Sequence, residues 1–180
     1  MMCLLKWISA TLAIALLAGT VAAADTVSAG KIKSIDAASK TFVLTDSTNK
    51  DFTFKIGENL VINRDGKESK TDLNAGDDIN VCYDKGLLTR TVHYVLVQEG
   101  KTKNCSLMAG AIKNYDAGKK ELAFTDEGAK TTTFSMGEAR VRINMKDSKV
   151  EDIKIGDHAR ILVEMVERAP ILRSVMVDRK

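Results

Sequence analysis

Proline occurs once in the 180 residues, at Pro170, tryptophan once, at Trp7, and aromatic residues make up only 5% of the chain. So little proline excludes polyproline recognition, and so few aromatics leave little for stacking on sugars or bases. Histidine is as scarce, with His93 and His158 alone, and neither has zinc-motif spacing. No glycine-rich phosphate loop and no serine-elbow motif occurs. Charge of one sign is missing too: the formal net charge is +3. That balance gives no electrostatic case for bulk nucleic acid.

What the chain does have begins at its start. Lys6 precedes a mainly apolar run from Trp7 to Ala18, and small residues follow through Val21-Ala22-Ala23-Ala24 before polar sequence opens at Asp25. This three-part layout predicts a signal peptide over residues 1–24, cleaved after Ala24. The rival is a retained anchor, but Ser9, Thr11, Gly19 and Thr20 interrupt the run, which is marginal for spanning a bilayer. Export implies a periplasmic or secreted protein with no transmembrane segment after cleavage. Losing Lys6 lowers the formal charge from +3 to +2.

Of three cysteines, Cys3 falls in the signal, leaving Cys82 and Cys105. In an oxidising compartment an even pair predicts a disulfide, Cys82–Cys105, stabilising the fold by about 3 kcal/mol. Redox or thiolate–metal chemistry is the competing use. Neither cysteine belongs to a C-x-x-C pair, and no third ligand is near in sequence.

The remainder is one unit written twice. Displaced by eighty positions, Ala29-Gly30-Lys31-Ile32-Lys33 meets Ala109-Gly110-Ala111-Ile112-Lys113, Thr53-Phe54 meets Thr133-Phe134, and Gly76-Asp77 meets Gly156-Asp157. The register reads as ungapped, giving repeats over 25–98 and 108–180 with a linker over 99–107. Within each copy the apolar period is two. Phe42 and Leu44 alternate with Thr41 and Thr45, Phe52, Phe54 and Ile56 with Thr53 and Lys55, and Ile79, Val81 and Tyr83 with polar neighbours. The expectation is all-β, with five or six short strands per copy and a helical turn at most near Thr71 to Leu73. Short strands leave open edges unless the sheet closes, which favours a small barrel. Gly76-Asp77 and Gly156-Asp157 read as structural turns: glycine reverses the backbone and aspartate hydrogen-bonds the turn.

Gly30-x-Ile32-x-x-Ile35-Asp36 with Leu73-x-x-Gly76-Asp77-x-Ile79-x-Val81, and their second-copy equivalents from Gly110 to Asp116 and Ile153 to Ile161, resemble the small OB-like barrel modules of exported bacterial proteins of unknown function. The resemblance covers nearly all of both copies and implies two tandem OB-like barrels. A fainter similarity is to periplasmic copper-binding barrels, whose site uses histidine, methionines and a tryptophan face. This chain has no tryptophan beyond Trp7, and Met136 and Met145 have no histidine close in sequence.

Candidate chemistry is thin. His93 and His158 do not occupy equivalent repeat positions. The acidic pairs Asp77-Asp78, Asp126-Glu127 and Glu151-Asp152 put neighbours on opposite strand faces and read as turns and solvated edges. Asn63-x-Asp65-Gly66 is similar to part of an EF-hand loop, but Val61 stands where the first ligand is needed. The last strand of each copy is unusual in being apolar on both sides. Val92, Tyr94 and Leu96 alternate with His93, Val95 and Val97, and Leu172 and Met176 with Val175 and Val177. Its outer side, with Leu96 and Met176, is expected to pack between the barrels, against a second copy, or against an envelope partner. The sequence therefore predicts a non-enzymatic exported binding or scaffold protein with no cofactor, no metal site and no nucleic-acid partner. The alternative is a periplasmic copper-binding protein drawing on Met136, Met145, Met165, Met176 and His158.

Overall fold

The computed structural model describes residues 25–179; the expected signal segment and its cleavage at Ala24 lie outside them. The chain is all-β. Strands β1 (Asp25–Asp36), β2 (Thr41–Thr45), β3 (Asp51–Arg64), β4 (Lys67–Ser69), β5 (Asp78–Lys85) and β6 (Arg90–Val97) form the first sheet. Its order is β2-β1-β5-β6-β3-β4, and an additional β2–β3 pairing closes five strands into a barrel. The second sheet has seven strands: β7 (Cys105–Asp116), β8 (Glu121–Asp126), β9 (Thr131–Ser135), β10 (Arg140–Ile143), β11 (Lys146–Ser148), β12 (His158–Val166) and β13 (Ala169–Val177). Ile171 on β13 pairs with Ser135 on β9, curling this sheet into a second barrel-like module. Among the described residues no helix is long and apolar enough to cross a membrane.

Alternation explains the cores. Phe42 and Phe54 are direct cross-strand partners whose rings stack at 5.4 Å, and Tyr83 meets Phe54 edge-on at 5.0 Å. Ile32, Leu44, Ile79, Val81 and Val95 complete the first interior. Ile112, Leu122, Phe124, Phe134, Ile161 and Val175 fill the second. Gly30 and Gly110 are required by close approach. A Cβ at Gly30 would lie 2.3 Å from the Thr45 carbonyl oxygen, and one at Gly110 would lie 2.0 Å from that of Thr125. Neither backbone can yield without breaking a barrel strand pair. Gly110→Ala is expected to lower stability by about 2 kcal/mol or more, read as a shifted urea midpoint with unchanged slope.

Gly76 and Gly156 adopt φ of +92° and +90°, where a side chain is strained. Their N–H groups donate to the Ile32 and Ile112 carbonyls, each at 2.8 Å. Beside them, Asp77 and Asp157 accept the Asn74 and Lys154 N–H groups, and are held by Arg64 and Arg179. The Arg179 hydrogen bond outweighs partial burial and keeps the Asp157 carboxyl below the usual carboxylate range. A depressed folded value adds stability above the unfolded pKa of about 3.9 and loses it as pH falls through the folded value. Asp157→Asn should therefore be less stable than the parent at pH 7, with the gap narrowing as the pH falls below about 4, measured by urea unfolding.

Several local expectations need correction. The eighty-position register is not unbroken: Val95 pairs with Ile62, but its twin Val175 pairs with Val141, so residues 140–148 stand one position early. The two-residue turn Asp65-Gly66, with φ of +53° and +78°, is matched by Asn144-Met145, with φ of +51° and +66°. The helical turn allowed at most near Thr71 to Leu73 does not form there, while a short 3-10 turn occupies the corresponding place in the second copy, Val150–Asp152. A further 3-10 turn, Gly100–Thr102, lies in the expected linker, whose last residues, Cys105 to Leu107, already belong to β7. The expected Cys82–Cys105 disulfide is not formed, and both thiols are free and buried. The reason is geometric: Cys82 Sγ clusters with Asp25 and His93, whereas Cys105 Sγ points at the Lys101 carbonyl, 3.7 Å away.

Candidate binding cleft between the barrels

The faces of β6 and β13 are set by β-bulges. Along β6 the ladder to β5 skips His93, between the Cys82–Tyr94 and Tyr83–Val92 pairs. An extra residue inverts the alternation beyond it. Val92, Val95 and Val97 thus enter the first core, and Tyr94 and Leu96 turn outward, in place of the simple grouping of Val92 with Tyr94 and Leu96. The same skip at Arg173 puts Leu172 with Val175 and Val177 inside the second core and leaves Met176 outside.

The outward residues from both halves meet in a third apolar cluster. Val61, Cys82, Tyr94 and Leu96 of the first barrel join Cys105, Leu107, Ala109, Leu162 and Met176 of the second. Leu96 is 0% and Met176 5% exposed. Hydrophobic burial of this kind is the main force holding the barrels together. Asn80 Oδ1 adds a polar link by accepting the Leu107 N–H at 3.1 Å.

Where this cluster reaches solvent, the barrels leave a cleft of about 960 Å³. Its walls include Asp25, His93 and Tyr94 from one barrel and Arg142, His158 and Arg160 from the other. Arg142 and Arg160 are almost fully buried. Arg142 Nη1 meets Glu68 Oε2 across the barrel boundary at 2.5 Å, but its Nε–H is buried without a protein acceptor. Arg160 pairs with Asp178, lies 3.9 Å from Asp25 Oδ2, and stands over the Tyr94 ring at 5.9 Å. The Tyr94 hydroxyl accepts the Asn63 side-chain N–H at 3.1 Å, and burial pushes its pKa up to about 12.

Beside the cleft lies a tighter group. One ligand atom each of Asp25, Cys82 and His93 falls within 4.8 Å of the others. His93 Nε2 is 3.0 Å from Asp25 Oδ1, and His93 Nδ1 is 3.7 Å from Asp84 Oδ2. Burial works to raise the Asp25 carboxyl, but the His93 hydrogen bond, with the charges of His93, Arg160 and His158, holds it below its ordinary value. Burial, reinforced by Asp25, pushes the Cys82 thiol well up. Cys82 is wholly buried, which keeps its thiol out of reach of an external electrophile in this conformation.

The methionines of the copper alternative are dispersed. Met136 is inside the second core, Met165 is exposed, and Met145, Met176 and His158 share the cleft wall. Gly76, Asp77, Gly156 and Asp157 shape turns as described above. Leu87 and Leu88, at the β5–β6 tip, are fully exposed. Neither the cleft arginines nor the Asp25–Cys82–His93 group is a sequence motif. Comparing the copies would have marked the latter: Asp25, Cys82 and His93 face Cys105, Leu162 and Arg173.

Fold and site together define a tandem small-barrel protein with a cleft of mainly apolar walls and a few buried charges at the junction of its two modules. Neither the known protein-family models nor the curated proteins contain a match to the chain.

Proposed function

We propose that the chain is an exported, non-enzymatic binding protein of the cell envelope, periplasmic or secreted, built on two OB-like barrels and holding a small polar ligand in the cleft between them. The observation that carries this reading is Arg142: a buried guanidinium contributed by one barrel, paired to the other through Glu68, with an N–H left for an acceptor. An unpartnered buried donor costs about 1–3 kcal/mol, which an acceptor group on a ligand would recover. Arg160 and Tyr94 supply a second cation and a ring on the same wall.

Native mass spectrometry of protein isolated gently from envelope extracts tests it. A stoichiometric small-molecule adduct, absent from Arg142→Met, is expected. Protein that carries no adduct and shows no melting shift with small carboxylic or phosphoric acids would contradict the reading. The copper alternative has one observation behind it, the shared placement of Met145, Met176 and His158. Cu(I) binding lost in Met145→Leu and Met176→Leu would favour it.

A further inference from the structure

We propose that Asp25, Cys82 and His93 form a divalent-metal site of the zinc class, built from first-barrel residues alone at the edge of the cleft. Three observations converge. The ligand set is one carboxylate, one thiolate and one imidazole, from β1, β5 and β6, with its atoms within 4.8 Å of one another. Metal bonds of about 2.0–2.3 Å place tetrahedral ligand atoms about 3.5 Å apart, so rotamer adjustments of about an ångström close the set. Asp84, 3.7 Å from His93 Nδ1, stands where an orienting carboxylate is commonly found behind a metal-bound histidine.

The second observation is the internal twin. Cys105 pairs with Glu164 as Asp25 pairs with Asp84, and Leu162 pairs with Ser174 as Cys82 pairs with Tyr94. The bulged residue is Arg173, which simply forms an ion pair with Glu164 at 2.5 Å. The fold is thus satisfied at these places by leucine and by an arginine–glutamate pair. Nothing in barrel architecture demands a thiol, a carboxylate and an imidazole together, yet the first copy has them. The bulge also turns His93 toward Asp25, re-aiming a side chain at a functional position.

Third, the surroundings suit a cation. Asp84, 3.7 Å from His93, brings a further negative charge. Opposing it are His158 and Arg160, the latter already paired to Asp178. Two anionic ligands and a neutral imidazole balance a 2+ ion. Binding exchanges the Cys82 S–H proton for an S–metal bond, releasing one proton to solvent with no change of oxidation state. A mixed S, N and O set fits zinc-class ions better than calcium or magnesium, which take oxygen, or Cu(I), which favours thioethers and thiolates. The fourth position is left to solvent or to a cleft ligand.

The test uses reduced protein purified from cells expressing the full chain, titrated with Co(II) and then Zn(II). One Co(II) per chain, with thiolate-to-cobalt charge transfer in the near ultraviolet, displacement by Zn(II) and release of about one proton, is expected. Cys82→Leu and His93→Arg install the residues that the second barrel carries at the same places, so they should fold while binding falls more than about 100-fold. Asp84→Asn should weaken binding about 10-fold. Met145→Leu and Met176→Leu should bind normally. No Co(II) or Zn(II) binding, charge transfer persisting in Cys82→Leu, or a Cys82–Cys105 disulfide in protein freshly isolated from cells would each overturn the site. Its failure leaves the cleft reading standing, because the adduct lost in Arg142→Met is read independently.

Discussion

Lysine in place of Leu96 lowers stability by about 4 kcal/mol or more and separates the two barrels. Leu96 is wholly buried among apolar side chains of both halves, so the substitution removes apolar contact and places an ammonium inside an apolar cluster. Met176→Lys, entering the same cluster from the second barrel, should act alike. Leu88→Lys is the control. Its side chain is 97% exposed, and its effect should stay within about 0.5 kcal/mol. Urea unfolding gives the magnitudes, and limited proteolysis of the Gln98 to Asn104 connection, largely exposed but anchored at both ends in the docked form, should quicken once the barrels separate.

The second large effect belongs to Glu68. Removing it by Glu68→Ala leaves Arg142, with 6% of its side chain exposed, as a buried and unpaired charge. The cost should be about 3 kcal/mol. Pairing the change with Arg142→Met should recover most of that loss, because an apolar side chain needs no counter-ion. A double-mutant cycle measures the coupling directly. Additive losses would mean that the ion pair does not bridge the barrels.

How far the sequence could reach depended on whether the information was local. The strands and their closure into barrels were legible in two-residue alternation, as at Phe42 and Leu44, and the turns at Gly76 and Gly156 in chemistry that few other residues can supply. Duplication was legible because two copies of one pattern constrain each other. What escaped was anything that one residue of slippage can invert. The bulge at His93 exchanges the faces of β6, so Val92 lies inside with Val95 while Tyr94 faces the other barrel. No alternation rule contains that extra residue. The missing disulfide has a similar origin: even parity and export say that two cysteines can pair, but only the strand faces say that Cys82 turns to Asp25 and Cys105 to the Lys101 carbonyl.

The cleft was hidden for a different reason. Arg142 and Glu68 lie far apart in the chain and on different modules, and each taken alone reads as an ordinary surface charge. Burial converts them into a pair only once the apolar cluster has docked the barrels. Leu96 and Met176 were the part of this junction that the sequence exposed, through strands too apolar for water on both sides.

Differential scanning calorimetry of the purified protein tests that docking most directly. Two modules joined by a shared apolar cluster and a buried ion pair should melt in one cooperative transition, with calorimetric and van't Hoff enthalpies equal, and Leu96→Lys should split it into two. Two independent transitions in the unaltered protein would contradict a fixed junction, and with it the cleft.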